Sequence, residues 1–348
     1  MAKKFFRTKT DDRPDLAAIG SISQLDVQGY VFPHLFPLMP VTEQSGKINV
    51  ANPGLTNSKG QKNRQNGSAV NASTITRKKV DWAAAKYEGR GKLYEDDGAA
   101  YESEEAADQA GAEEAQRLAW NNVEDAAFQK VFSSTRVNAA TQLADHAIIK
   151  TLQKKAKSLR KYGKPVIVMT TNTWLDFVEI PEIRHRLEKL AGAGNDTGFI
   201  MSNIAKVRAA VSSFMQFENI YLFDSDIVDA AGSMDGKIAV VALRPEAEGN
   251  VISVIKAKAT YGWTPIYIPE GAPSDKPFDM RSWYDNDGKA NIYDAEAHLE
   301  PTEAHDGAVA MCKLLDDLDD YTEYAVPVVN ATVQQPANGG DAGGGEQV

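Results

Sequence analysis

"NPGLTNSKGQKNRQNGSAVN", residues 52–71, carries no aromatic residue, only Leu55 and Val70 as sizeable apolar side chains, and Lys59, Lys62 and Arg64 as its charges. Such a stretch cannot bury enough apolar surface to order itself. Its flanks decide its reading. "SGKINVANPG" before it and "ASTITRKKVDWAAAKYEGRGKLYEDDG" after it hold β-branched and aromatic residues and end in glycine-rich turns, which predicts two strands. Residues 43–92 then form a long two-stranded loop with a polar tip.

The charge pattern gives this loop a direction. The chain has 348 residues and a formal net charge of −10, which argues against a general nucleic-acid binder. The sum hides a segregation. Lys47 to Lys92 contains ten Lys/Arg against Asp81 and Glu88, whereas Glu95 to Gln129 contains eleven acids against Arg117. A third block, Ala295 to Tyr324, has nine acids against Lys313. A basic loop laid over an acidic segment of a neighbouring copy would be a directional contact able to repeat around a ring. The contact residues expected on the basic side are Lys59, Lys62, Arg64, Arg77, Lys78 and Lys79, and on the acidic side Glu104, Glu105, Glu113 and Glu114.

The remaining chain reads as mixed helix and strand. Residues 1–40 include "YVFPHLFPLMP", with three prolines among large apolar residues, and predict an extended arm that needs a surface to lie on. From Glu102, Trp120, Val123, Ala127 and Val131 recur at helical spacing, predicting a helix of about 30 residues and ~45 Å. A second helix is expected from a cap at Asn138, with Ile149, Leu152, Ala156 and Leu159 on one face. "PVIVMT" predicts a buried strand; helices follow around Trp174, from Pro181, and along Ile204, Val207, Val211 and Phe214. "NIYLF", "KIAVVAL" and "VISVIKAKATYGW" predict strands, "AVAMCKLLDDL" a short helix, and "QQPANGGDAGGGEQV" a disordered tail.

No motif carries catalytic or metal chemistry. "GAGNDTG" (192–198) has one residue too many for a dinucleotide loop and follows a helix. "GSMDGK" (232–237) is one spacer short of a P-loop, with Ile238 where Ser or Thr must hold magnesium. "DNDGKANIYDAE" would place Trp283 at the first calcium-ligand position, so its acids read as turn formers. "DSDIVD" (224–229) has no histidine within ten residues. Of His34, His146, His185, His298 and His305, only the last two are near one another. Seven apart on a helix they would be too far to chelate one ion. The single Cys312 excludes a disulfide framework and reads as a small buried hydrophobe. No catalytic residue, metal or cofactor is expected, and the chain is read as no enzyme. No N-terminal signal peptide and no apolar run long enough to span a bilayer is legible, which predicts a soluble cytoplasmic protein.

The order of these features resembles the major capsid proteins of tailed bacteriophages with the Hong Kong 97 fold. The resemblance is carried by "VTEQSGKINVANPG", the helix near 102–132, "KPVIVMTTNTWLDFVEIPEIRHRLE", "KIAVVALRPE" and "ATYGWTPIYIPEG". It implies an α+β fold with an N-terminal arm (1–42), an extended loop (43–92), a peripheral domain with a spine helix and the helix after it (93–162), an axial domain (163–270), a return to the peripheral domain (271–330) and a tail (331–348). It implies a shell subunit that forms hexamers and pentamers around packaged double-stranded DNA without sequence-specific binding, in the virion and, during assembly, the host cytoplasm. A portal, a decoration protein and a separate scaffolding protein are the implied partners, since only the stretch up to Pro40 precedes the loop; a chain already trimmed would also fit. The family's prototype has a lysine-to-asparagine crosslink for which Lys59 or Lys62 could serve, though noncovalent locking is expected here. An encapsulin-like compartment shell and an α/β enzyme of unknown chemistry are the alternatives.

Overall fold

The computed structural model describes residues 11–13, 16, 29–51, 77–98, 100–144, 147–191, 204–224, 234–243, 261–268 and 277–315. In chain order these give β1 (Asp11–Asp12), α1 (Phe32–Leu35), β2 (Leu38–Val41), β3 (Ser45–Ala51), β4 (Arg77–Ala83), β5 (Ala85–Tyr94), α2 (Glu95–Gly98), α3 (Glu104–Val131), α4 (Ser134–Asn138), β6 (Thr141–Gln142), α5 (Ile148–Leu159), β7 (Lys164–Thr170), α6 (Thr171–Glu179) and α7 (Pro181–Ala191). They continue with α8 (Ile204–Met215), β8 (Ile220–Phe223), β9 (Lys237–Leu243), β10 (Gly262–Tyr267), β11 (Asp279–Asp285), β12 (Ala290–Leu299), β13 (Thr302–Glu303) and β14 (Val309–Lys313).

α3 organises the molecule. Its 28 residues rise about 42 Å, and Ser103 caps its start by accepting the amide of Ala106 at 3.1 Å. Its buried residues come in pairs every four positions: 107/108, 111/112, 115/116, 119/120, 123/124 and 127/128. On a helix of 3.6 residues per turn a four-residue repeat drifts by about 40° per step, so the buried stripe winds around the rod. The N-terminal half lies on β5 and β12, which pair antiparallel over ten residues from Ala85 opposite Leu299 to Tyr94 opposite Ala290. Contact there is backbone to backbone. A Cβ on Gly89 would fall 2.0 Å from the carbonyl oxygen of Ala115, and one on Gly91 2.4 Å from that of Gly111. The C-terminal half reaches the second sheet, where Phe128 stacks on Phe223 with ring centroids 3.8 Å apart.

The first sheet has the order β1-β11-β12-β10-β13, with β5 also on β12 and β2 running parallel to β10. The second has the order β6-β14-β9-β7-β8, and β7, β9 and β14 contact α5. β3 and β4 form a two-stranded sheet of their own, in register from Ser45 opposite Ala83 to Ala51 opposite Arg77.

Several expectations are corrected. The segment around "YVFPHLFPLMP" finds its surface within its own chain: Phe32, Leu35, Phe36 and Leu38 are fully buried. Pro33 sits in the first turn of α1, where a missing amide costs nothing, and Pro40 in β2. The stretch after the polar tip makes two strands rather than one, because the chain leaves β3 at Ala84 and joins β12. Asn138 ends α4 instead of capping α5; Glu182 of α7 does that, accepting the amide of Ile148 at 2.9 Å. Ile204 is exposed, while Val207 and Val211 are buried. "AVAMCKLL" is strand β14 rather than helix, since hydrogen-bonding partners on both sides, β9 and β6, decide a short apolar run that periodicity leaves ambiguous. Sheet membership crosses residue 270 in both directions, with β10 in the first sheet and β14 in the second. The polar tip, the first ten residues of "VISVIKAKATYGW" and the expected tail lie outside the described residues.

Candidate assembly surfaces

At the root of the long loop, strand alternation turns Val80 and Trp82 of β4 inward and leaves Lys79 and Asp81 exposed. With Met39, Ile48, Val50, Trp263 and Ala304, these form a small apolar cluster apart from the main core. Gly46 lets the Trp82 ring lie across the neighbouring strand, since a Cβ there would sit 2.9 Å from it. Beside the ring opens a cleft of about 320 Å³, lined by Met39, Val41, Ile48 and Trp82 with Glu43 and Lys47 at its rim. Lys47 meets Asp81 across the strands at 3.3 Å, an exposed pair of little energetic weight.

Of the basic contact residues expected, Lys59, Lys62 and Arg64 lie outside the described residues. Arg77 begins β4. Lys78 is exposed, with its Nζ 3.7 Å from Asp306 of the same chain, and Lys79 is exposed. On the acidic side, Glu104 and Glu105 project from the first turn of α3 and Glu113 from the third. Glu114 is held by Arg117 through bonds of 2.7 and 2.8 Å. Among the described residues, no ion pair within the chain joins the two sets.

Two acids counted in that block are not on the surface at all. Asp108 and Glu124 are 3% exposed, and Gln116 between them is 2% exposed. Spaced by eight residues, these three polar side chains bind the N-terminal segment at three points along α3. Asp108 takes Arg13 Nη1 at 2.9 Å and the hydroxyl of Tyr293 at 2.6 Å. Gln116 donates to the carbonyl of Leu16 at 3.0 Å. Glu124 accepts the amides of Val31 at 3.1 Å and Phe32 at 2.9 Å, satisfying the free amides that begin α1. Burial raises the Glu124 carboxyl to about 7 against the opposing pull of those two amides. Tyr30 adds a bond to Asn121 at 2.9 Å. A polar residue recurring every eighth position inside a small-residue helix is a signal the sequence carried and charge counting missed.

The opposite end of α3 is pinned as well. Arg136 forks onto Glu303 at 2.6 and 3.0 Å, Tyr261 bonds the same carboxylate, and Lys130 bonds Glu300. These groups are structural in their partners: Lys130 and Arg136 link the ends of α3 and α4 to the 300–306 segment, and Tyr261 links the start of β10 to it.

The rejected motifs fall out as turns and strands. Asp285 accepts the amide of Asp287 at 3.1 Å in the turn between β11 and β12. Asp235 and Gly236 form the turn before β9, with Gly236 at φ +70°. Residues 192–198, 226, 229 and His146 lie outside the described residues. His298 is in β12 and His305 in a loop, so the two never share a helix; His298 Nε2 lies 3.1 Å from Glu296 and His305 packs against Tyr162. Among the described residues no group of three His, Cys, Asp or Glu could hold a metal, and no helix is long and apolar enough to cross a membrane.

No protein-family model matches the chain, and no curated protein matches it. Solved structures do. A phage-related protein from Bordetella bronchiseptica superposes with a TM-score of 0.57 at 14% identity, over 89% of this chain and 98% of that one. The chain has the Hong Kong 97 fold. Further matches at TM-scores below one half include the capsid of the cyanophage P-SCSP1u (0.46, 8% identity, 83% of this chain and 89% of that one) and a virus-like particle from Pyrococcus furiosus (0.45, 9% identity, 84% and 97%).

Proposed function

We propose that this chain is the major capsid protein of a tailed bacteriophage, a subunit that assembles with copies of itself into hexamers and pentamers of an icosahedral shell around double-stranded DNA. The observation that carries the reading is the β3–β4 pair. Its root packs on Met39, Trp263 and Ala304 of its own chain, yet the pair hydrogen-bonds to no other described strand and leads into a basic, polar tip that its composition cannot bury. A second copy would give that tip a surface. The exposed acids Glu104, Glu105 and Glu113 of a neighbour's α3, with Glu114, offer the opposite charge to Lys78, Lys79 and the tip residues Lys59, Lys62 and Arg64. A fold by itself hosts many functions, so the loop and its charge, rather than the superposition, bear the weight.

The N-terminal segment supports the same reading in a different way. Its bonds linking Arg13, Leu16, Val31 and Phe32 to Asp108, Gln116 and Glu124 fix the N-terminal segment along α3 within one subunit, leaving the loop as the element free to reach a neighbour. A separate scaffolding protein, a portal and a decoration protein complete the proposed set of partners. Negative-stain electron microscopy of the purified chain, with its scaffold where needed, should show capsomers, tubes or shells. A stable monomer at high concentration under those conditions would refute the proposal.

A further inference from the structure

Helix α5 and the turn after it contain the densest run of positive charge among the described residues outside the loop. From Ile148 to Gly163 there are six cations, Lys150, Lys154, Lys155, Lys157, Arg160 and Lys161, and no acid. Lys150, Lys154 and Lys157 stand at i, i+4 and i+7, so they share one face and are separated along the axis by ~6 and ~4.5 Å. All three are exposed, as are Arg160 and Lys161 just beyond the helix. The buried face, Ile148, Ile149, Leu152, Ala156 and Leu159, is spent on the second sheet.

Among the described residues this row has no ion-pair partner, in a chain with more acids than bases. No salt bridge among the described residues reaches any of these cations, although 48 acids are present against 38 Lys and Arg. We infer that the exposed face of α5 is a contact surface for the phosphate backbone of double-stranded DNA, a deepening that rests on the proposed shell function. Two observations favour a nucleic acid over a protein partner. Protein interfaces are anchored by buried aromatic and apolar residues and are poor in lysine, whereas this face has lysine throughout, and the other side chains outside the buried stripe are Thr151, Gln153 and Ser158. The large exposed apolar side chains of the described residues, Tyr94, Tyr101, Leu175 and Ile204, are all elsewhere. A polyanion of uniform charge, by contrast, needs neither an apolar anchor nor a fixed register, and point-like ammonium groups suit contact without sequence reading.

The chain's net charge of −10 does not forbid the contact. At physiological salt, charges beyond about 8 Å are largely screened, so a phosphate beside Lys154 responds chiefly to the neighbouring Lys150 and Lys157 rather than to the net charge of the whole chain; the acid at the start of α5, Glu182, is buried and accepts the Ile148 amide. A surface of about four phosphate contacts is weak, salt-sensitive and indifferent to sequence. Such a contact would hold packed DNA near the wall without trapping it.

The test is retention of a duplex of about 30 base pairs and arbitrary sequence by the full chain, beside the variant Lys150→Gln, Lys154→Gln, Lys157→Gln, Lys161→Gln. With about four phosphates at a slope near −0.9 each, affinity should fall roughly a hundredfold between about 50 and 200 mM salt, equally for unrelated sequences. The variant should bind at least about tenfold more weakly at the low-salt end while melting at the same temperature, because every substituted side chain is solvent-facing. Absence of duplex binding by the full chain at low salt, or equal binding by the variant, would overturn the inference. So would displacement of the duplex by an equimolar glutamate-rich peptide of equal charge, which would assign the face to an acidic protein surface. Electron microscopy of both proteins separates this outcome from the shell function: normal shells without duplex binding sink the inference alone, and duplex binding without shells sinks the shell reading alone.

Discussion

The carboxylate of Glu124 accepts the backbone amide of Phe32 at 2.9 Å, joining the middle of the long helix to a residue 92 positions earlier in the chain. Its second oxygen takes Val31 in the same way. One side chain thus supplies the missing acceptors at the start of a four-residue helix whose own capping position makes no side-chain bond.

This arrangement predicts a stability that depends on pH. Burial raises the Glu124 carboxyl from 4.5 to about 7 in the folded protein. The folded state therefore holds the proton more tightly than the unfolded chain. The favourable contribution is complete below about 4.5 and is lost as pH rises through about 7, by about 3 kcal/mol if the whole shift is realised. Urea midpoints measured at pH 5 and pH 8 should show the native chain losing stability relative to Glu124→Gln over that interval. Parallel pH profiles for the two proteins would show that the group does not titrate in this range.

Close packing of α3 on β5 predicts intolerance at Gly89. A methyl group there would sit 2.0 Å from the Ala115 carbonyl oxygen and 2.5 Å from the Ala119 amide nitrogen, both main-chain atoms of a helix that cannot step aside locally. Gly89→Ala should cost at least ~3 kcal/mol, the upper range for overpacked cores, or abolish folding. Gly288→Ala is the control, because its new Cβ meets only the Asp285 side chain and should cost under ~1 kcal/mol. Thermal melts of the two variants settle the comparison; equal losses would mean the helix is free to move outward.

Cys312 should resist alkylation. It is fully buried in β14, and burial raises its thiol to about 11, with Lys155 pulling weakly the other way. At pH 8 the thiolate fraction is then roughly a thousandth. Mass spectrometry after iodoacetamide treatment should find labelling only once the protein is denatured.

Charge reversal at the loop root addresses assembly. Arg77→Glu, Lys78→Glu, Lys79→Glu should weaken self-association while leaving the subunit folded, since among the described residues the partner of Lys78 is the exposed Asp306 at 3.7 Å, a pair of little energetic weight. Light scattering at moderate salt reads the effect. Unchanged assembly would remove the loop's basic residues from the contact.

Local pattern made much of this molecule legible. The helix of α3 follows from its helical periodicity, β7 from its short apolar run, and the strands flanking the polar tip from their β-branched and aromatic residues; the start of α3, expected from Glu102, is set by the capping hydroxyl of Ser103. The reading failed where a residue's role depends on a distant partner. "AVAMCKLL" has the composition of either element, and only pairing with β9 and β6 made it a strand. The cap of α5 came from Glu182, 34 residues away, rather than from nearby Asn138.

The same limit applies to charge. By itself the sequence determined how basic and acidic residues are segregated along the chain and which stretches can bury apolar surface, because both are properties of neighbours in the chain. Which acids are surface and which are interior was decided by tertiary structure alone. Asp108 and Glu124 look like their neighbours Glu113 and Glu114 until Arg13, Tyr293, Val31 and Phe32 are brought against them. A buried carboxyl is tolerated only where such partners repay its lost hydration, and those partners lie some ninety to almost two hundred residues away in the chain.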